Sequence, residues 1–132
     1  MVHKRIRNIV GDPDEIKDAL KGINHKLTQE QAQKLVTLIC KHKRWPLYKV
    51  KFSNRKTKRL YAYCDTEERL IVVHNIPETV QLIIHEATHI KYDEHNTSFK
   101  RMQLKLIKLY KDKFLNLIFE EDINVQSQKG KV

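Results

Sequence analysis

Residues 83–99 read IIHEATHIKYDEHNTSF, and this stretch contains three histidines. His85 and His89 are four positions apart, a spacing that brings two side chains together on one face of a helix. His95 follows six residues later, and in an unbroken helix it would lie about 9 Å beyond His89 along the axis. The three imidazoles can therefore meet only if the helix ends soon after His89 and the chain turns back.

The segment between the second and the third histidine contains residues that suit such a turn. Asp93 and Asn96 tolerate turn conformations, and Asn96 or Thr97 can cap a new helix. We therefore predict that the helix breaks in this segment and that His95 is the third ligand of a metal ion. The carboxylates of Asp93 and Glu94 are the alternative third ligands.

The sequence His85-Glu86-Ala87-Thr88-His89 matches the pattern HExxH. A catalytic zinc ion typically has three protein ligands and a water molecule, and neutral imidazole is one of its preferred ligands. Glu86 lies about 100° around a helix from His85, so we expect its carboxylate to act as a base toward that water and not as a ligand. The neighbouring residues are apolar, and burying these polar groups without a partner such as a metal ion would be costly.

The rest of the 132-residue chain predicts one α+β domain. Helical spacing and capping residues predict four helices, in residues 11–22, 28–45, 77–92 and 97–119. Alternating apolar and polar residues predict three strands, in residues 47–53, 59–65 and 69–75, which we expect to form an antiparallel meander. We assign residues 1–120 to the domain and residues 121–132 to a polar tail.

The chain is strongly basic, with 26 Lys and Arg against 16 Asp and Glu and a net charge of +10. Much of the excess lies in residues 41–59 and 100–113. Such charge favours contact with phosphate backbones whatever the base sequence, so we predict nonspecific DNA binding. The residues expected to contact nucleic acid are Lys43, Arg44, Arg55, Lys56, Lys58 and Arg59.

Several features predict an intracellular protein, cytoplasmic or nuclear, that is not secreted. The N-terminal residues lack the apolar core of a signal peptide, and no apolar run approaches the length of a membrane span. Cys40 and Cys64 are far apart in sequence, which is typical of reduced thiols. We expect a monomer without a membrane partner.

The stretch HEATHIKYDEHNTSF resembles the HExxH…HxxxF pattern of the SprT-like and WLM metallopeptidases, the Spartan group of zincins. The similarity covers residues 45–110, because the order of helix, three strands, HExxH helix and helix also looks like that domain. The resemblance implies a zincin-like fold in which Zn²⁺ is bound by His85, His89 and His95. It implies that Glu86 is the catalytic base and that Phe99 packs behind the third histidine.

The same resemblance implies a substrate. Members of the group are DNA-associated proteases that digest proteins crosslinked to DNA, and this would explain the positive charge. No cysteine-rich zinc ribbon follows the last helix in this sequence, so the expected protein is a minimal catalytic domain.

Two other functional classes share part of the pattern. The bacterial rRNA-maturation metallo-endoribonucleases use a similar set of three histidines, and a basic protein of this size would suit RNA. In that family the residue after the first histidine is typically glycine, whereas this chain has Glu86, the general base that a peptidase needs. A non-catalytic nucleic-acid-binding module with structural zinc would need a fourth ligand, and no cysteine or histidine is obvious nearby. These features favour the peptidase.

Overall fold

The structure is a computed structural model, and it describes residues 13–53, 62–74 and 79–119. The elements in these ranges are the helices α1 (Pro13–Ala19) and α2 (Gln29–Lys43), the strands β1 (Lys49–Ser53), β2 (Ala62–Asp65) and β3 (Leu70–His74), and the helices α3 (Val80–Thr88) and α4 (Thr97–Leu109). A π-helical turn, Tyr110–Phe114, follows α4, and residues 115–119 are again helical. The predicted order of two helices, three strands and two helices is confirmed, whereas the polar tail, residues 121–132, lies outside the described residues.

Helix α2 begins at the capping residue that the sequence predicts. The Thr28 hydroxyl accepts a hydrogen bond from the Gln31 amide, and the Gln31 side chain accepts one from the Thr28 amide, both at 3.0 Å. This reciprocal pair satisfies two amides that the first turn of a helix leaves without partners. The helix then buries one stripe of side chains, formed by Ala32, Leu35, Val36, Ile39 and Cys40.

The sheet is mixed, with the strand order β1-β3-β2, so the predicted antiparallel meander is wrong. Strand β3 pairs with β1 in parallel and with β2 in antiparallel orientation. The physical reason lies in the run Ile71, Val72 and Val73, whose exposed fractions are 0, 5 and 1%. A strand that is buried on both faces gains most in the centre of a sheet, a position that a meander would have assigned to β2.

Side chains of α2 cover the outer edge of β1. The Gln33 amide group accepts a hydrogen bond from the Val50 amide at 2.7 Å and donates one to the Tyr48 carbonyl at 2.9 Å. The Gln29 carbonyl oxygen accepts a hydrogen bond from the Phe52 amide at 2.7 Å. These bonds occupy backbone groups that would otherwise be open to another strand. Strand β2 forms the opposite edge of the described sheet.

The last helical segment differs in detail from the predicted one. The sequence predicts a single apolar stripe through Phe99, Met102, Leu106, Leu109 and Tyr110. In the structure Met102 and Leu109 are half-buried, and the buried positions of this segment are Phe99, Gln103, Leu106, Ile107, Tyr110, Phe114 and Ile118. The buried side therefore includes the polar Gln103, which a search for apolar residues alone passes over. In the described ranges no helix combines the length and the apolarity that crossing a bilayer would require.

Candidate metal centre

Helix α3 positions the first two histidines because it is anchored at its start and buried along its length. The carbonyl of His25 accepts hydrogen bonds from the amides of Thr79 and Val80, at 3.3 and 3.2 Å. The Thr79 hydroxyl in turn accepts a hydrogen bond from the Leu27 amide. Val80, Ile83, Ile84 and Ala87 are fully buried in the core. These contacts hold the helix against the sheet and α2, so its HExxH segment has a defined orientation.

The helix ends at the second histidine, as the sequence predicts. Regular helix stops at Thr88, and the amides of His89 and Ile90 donate to carbonyls only three residues back, at 3.1 and 3.0 Å. Such tighter bonds are common where a helix terminates. The chain then turns, and the next helix starts after Asn96, whose side chain accepts a hydrogen bond from the Phe99 amide at 3.0 Å. This cap leaves His95 in the turn that precedes α4.

The turn brings the three imidazoles together. Nε2 of His95 lies 3.1 Å from Nε2 of His85 and 2.9 Å from Nε2 of His89. One potential ligand atom from each histidine lies within 4.8 Å of the others, so the three residues could hold a metal ion. Asp93 and Glu94 are exposed and are not part of this group, so the structure does not bring the alternative third ligands to it.

The outward-facing nitrogen of His89 has a partner that favours metal binding. Nδ1 of His89 lies 3.0 Å from the carbonyl oxygen of Tyr92. A carbonyl can only accept, so Nδ1 carries the hydrogen and donates it. In the neutral ring Nε2 then keeps its lone pair, and this lone pair faces the centre of the cluster.

Phe99 forms a wall behind the cluster. Its ring centroid lies 5.0, 4.7 and 4.8 Å from those of His85, His89 and His95. The side chain is 2% exposed, so it excludes water from this side of the imidazoles. The sequence-based placement of Phe99 next to the third histidine therefore agrees with the geometry, and the ring in fact contacts all three.

The donor set fits a metal ion such as zinc. Tetrahedral zinc with Zn–N bonds of about 2.0–2.1 Å keeps two nitrogens about 3.3 Å apart, close to the separations of 2.9 and 3.1 Å found here. Three nitrogen atoms this close repel one another through their lone pairs unless protons or a cation lie between them. Among the residues that the structure describes, no fourth His, Cys, Asp or Glu joins the group. In a tetrahedral site these three histidines would supply three of the four ligands.

Glu86 is the buried carboxylate that follows the first histidine of the cluster in sequence. It follows His85 directly in α3 and is 7% exposed, but it is not one of the three grouped residues. A carboxylate that does not coordinate the metal is free of the ligand role and has the chemistry to accept a proton from a water molecule.

Gln103 is a residue of the site that the sequence reasoning missed. Its side-chain nitrogen lies 3.5 Å from Nδ1 of His85, and the residue is 2% exposed. The signal was present in the sequence, because Gln103 lies one turn after Phe99 and one turn before Ile107. A polar residue that interrupts an apolar stripe requires a buried partner.

The predicted nucleic-acid contacts are described only in part. Lys43 is half-buried and Arg44 is exposed, both at the end of α2. Arg55, Lys56, Lys58 and Arg59 lie outside the described residues. In the second basic segment the exposed cations are Arg101, Lys105, Lys108, Lys111 and Lys113. The structure thus describes exposed positive charge on the last helical segment without showing what binds to it.

Searches of protein-family models and of curated proteins find no match to the chain. The geometry establishes a cluster of three histidines that could hold a metal ion, with a buried carboxylate next to it in sequence. Such a set can bind a divalent cation and, through Glu86, accept and return a proton.

Proposed function

We propose that this protein is a zinc metallopeptidase of the SprT-like or WLM type, which hydrolyses peptide bonds in DNA-associated or DNA-crosslinked proteins. The observation that carries the proposal is the convergence of three imidazole nitrogens, the first of them on the residue that precedes a buried glutamate. His85, His89 and His95 supply neutral nitrogen ligands, the set that zinc accepts readily. The adjacent Glu86 supplies the base that peptide hydrolysis requires.

Each residue has a separate role in this mechanism. A zinc ion held by the three histidines would lower the pKa of a water molecule to about 7 and polarise the scissile carbonyl. Glu86 takes a proton from the attacking water and passes it to the leaving amine. The Tyr92 carbonyl keeps His89 in the tautomer that donates its lone pair. Phe99 keeps water away from the rear of the ligands.

The sheet supports a peptide as substrate. An extended peptide can add to an exposed strand edge through backbone hydrogen bonds. The outer edge of β1 is occupied by Gln29 and Gln33, which leaves the β2 edge for this role in the described sheet. Strand β2 also packs against α3, the helix that carries HExxH, so a peptide there would lie next to the element that carries the catalytic residues.

The net charge of +10 supports the assignment of DNA-associated substrates. Cations that neutralise phosphates give binding that is tolerant of sequence and sensitive to salt. Binding of enzyme and substrate to one DNA molecule raises their effective concentration and needs no new contact in the active site. We therefore expect DNA to stimulate cleavage of DNA-bound proteins and not of free peptides.

The test compares wild-type protein with Glu86→Gln and with Glu68→Gln, an exposed glutamate in the turn between β2 and β3. Zinc content and cleavage of a DNA-bound protein are measured for each. Glu86→Gln should retain zinc and lose about 100- to 10,000-fold in rate, the usual contribution of a general base. Glu68→Gln should match wild type. Near-wild-type cleavage by Glu86→Gln would show that the assignment is wrong.

The same assay distinguishes the endoribonuclease. Zinc-loaded protein is incubated with a DNA-bound protein and a structured RNA together, with and without a chelator. The proposal expects protein fragments and intact RNA. Shortened RNA that disappears on chelation, with the protein uncut, would favour the nuclease.

A further inference from the structure

Gln103 is buried on the side of α4 that faces the histidines. It lies one helical turn after Phe99, whose ring contacts all three imidazoles, and is 2% exposed. An amide removed from water costs free energy unless it is hydrogen-bonded. The polar partner found for it is His85, whose Nδ1 atom lies 3.5 Å from the Gln103 nitrogen.

The contact is made at the nitrogen of His85 that faces away from the cluster. Nε2 of this ring faces His95 at 3.1 Å, so Nδ1 points toward α4 and Gln103. To donate the Nε2 lone pair to a metal, a neutral ring must carry its hydrogen on Nδ1. That hydrogen needs an acceptor, and the amide nitrogen of Gln103 cannot be one.

The two ends of a glutamine side chain have the same shape but opposite hydrogen-bonding roles. A half-turn about the last side-chain bond exchanges the NH₂ group, which donates, for the oxygen, which accepts. With the nitrogen toward His85, Gln103 suits the ring that has its lone pair on Nδ1. With the oxygen toward His85, it suits the ring that has its lone pair on Nε2.

We propose that Gln103 is the positioning residue of His85, and that with its amide oxygen toward the ring it accepts the Nδ1 hydrogen that a metal-binding His85 must carry. Gln103 then does for His85 what the Tyr92 carbonyl does for His89. The two differ because a backbone carbonyl supports only the metal-binding tautomer, whereas Gln103 supports both. Gln103 can therefore hydrogen-bond to His85 in either tautomer of the ring.

The inference rests on the zinc-binding part of the proposed function and not on peptide hydrolysis. Mutation of a residue that hydrogen-bonds to a metal ligand typically lowers metal affinity by about 10- to 100-fold. Gln103→Met keeps the length of the side chain but cannot accept the hydrogen well. We expect it to weaken zinc binding by about 10- to 100-fold, measured by competition with a chromophoric chelator.

Gln103→Glu is the conservative variant, because an ionised carboxylate can only accept. It should restore zinc affinity to the wild-type range and shift metal-free His85 toward the tautomer with hydrogen on Nδ1. The ¹⁵N chemical shifts of the imidazole nitrogens report the tautomer, which a merely structural role of Gln103 would not change. Leu104→Ala, at the next position in α4 and half-buried, controls for loss of helix packing. It should lower thermal stability and leave both zinc affinity and the His85 tautomer unchanged.

Any one of three results from the variants would overturn the inference. Gln103→Met could bind zinc as tightly as wild type, Gln103→Glu could bind as weakly as Gln103→Met, or the His85 tautomer could be the same in wild type and both variants. A wild-type protein that binds no zinc would overturn this inference together with the zinc-binding part of the proposed function. A wild-type protein that binds zinc but cleaves no protein would contradict only the peptidase assignment. The measurement of zinc affinity in the variants would still decide the role of Gln103.

Discussion

Nε2 of His89 and Nε2 of His95 lie 2.9 Å apart, although the two residues are six positions apart in the chain. A continuous helix would place the two residues about 9 Å apart along its axis. They meet because α3 stops at Thr88 and the Asn96 cap starts α4 in a new direction. The cluster thus depends on a helix end and a helix start that lie within eight residues of each other.

Removal of His95 should disrupt metal binding. His95→Ala deletes the nitrogen that approaches both other histidines. Zinc affinity should therefore fall by more than the about 10- to 100-fold expected for loss of a residue that only hydrogen-bonds to a ligand. Because metal binding is coupled to folding, the zinc-dependent gain in melting temperature should also shrink. His42→Ala, at an exposed position in α2, is the matched control and should keep the metal. Equal zinc content in His95→Ala and wild type would return the third position to Asp93, Glu94 or a distant residue.

Truncation of Phe99 should affect both stability and the metal. Phe99→Ala removes a ring that is 2% exposed, so the free energy of unfolding should fall by about 3–5 kcal/mol in urea titrations. Zinc affinity should fall as well, because the three imidazoles lose a common wall. Phe114→Ala is the control, since Phe114 is also buried but contacts His42 instead of the cluster. If both variants lose stability and neither loses zinc affinity, Phe99 contributes to core packing and not to metal binding.

Two arginines have a left-handed backbone conformation. Replacing each of them with glycine tests stability and nucleic-acid binding separately. Arg44 has φ 60° at the end of α2, and Arg69 has φ 52° before β3. Glycine adopts this conformation without strain, so either arginine-to-glycine change should raise the free energy of unfolding by about 0.5–1 kcal/mol. The two changes remove the same charge, but Arg69 lies in an acidic turn with Glu67 and Glu68, whose amides donate hydrogen bonds to the Asp65 side chain.

We therefore expect different effects of these variants on DNA binding. Arg44→Gly should weaken binding to DNA of any sequence, whereas Arg69→Gly should not. In Arg44→Gly the slope of the logarithm of the binding constant against the logarithm of the salt concentration should decrease by about one, the value for one phosphate contact. Fluorescence anisotropy over a range of salt concentrations measures both quantities. Equal losses of DNA affinity in the two variants would mean that net charge alone governs binding. If neither variant loses affinity, Arg44 does not contact DNA.

Stability should decrease in alkaline solution. Burial raises the pKa values of the Cys40 thiol and of the Tyr48 and Tyr110 hydroxyls above their usual range. As pH rises, the unfolded chain releases these protons at lower pH than the folded protein does. The stability that these three groups contribute is therefore fully present below their ordinary pKa values. It is lost as pH rises past about 8.5 for cysteine and about 10 for tyrosine. Urea unfolding at pH 7–11 measures this, and a free energy that stays constant to pH 11 would contradict it.

Tyr110→Phe provides the control for the alkaline effect. It removes one of the three titrating groups, so the decrease above about pH 10 should be shallower than in wild type. The variant also loses the contact of 3.2 Å between the hydroxyl and Nε2 of His25. A loss of about 1 kcal/mol at neutral pH is therefore expected. An unchanged alkaline slope would exclude Tyr110 as one of its sources.

The sequence by itself determined the features that depend on neighbours within a few positions. The Thr28 cap and the helical spacing of His85 and His89 follow from local hydrogen bonding and helical period, and the same rules limit the cap of the last helix to Asn96 or Thr97. The convergence of His95 was also predictable, because the turn-forming residues on either side of it lie in the same short stretch.

Only the tertiary structure decided the strand order and the partners that come from other elements. The period of two in β1 and β2 predicts strands but does not say which strand is central, since pairing joins residues distant in sequence. The glutamines that cover β1 and the contact of Gln103 with His85 arise when α2 and α4 pack against the sheet and α3. A side chain's polarity shows that it needs a partner, but folding of the whole chain determines which partner it meets.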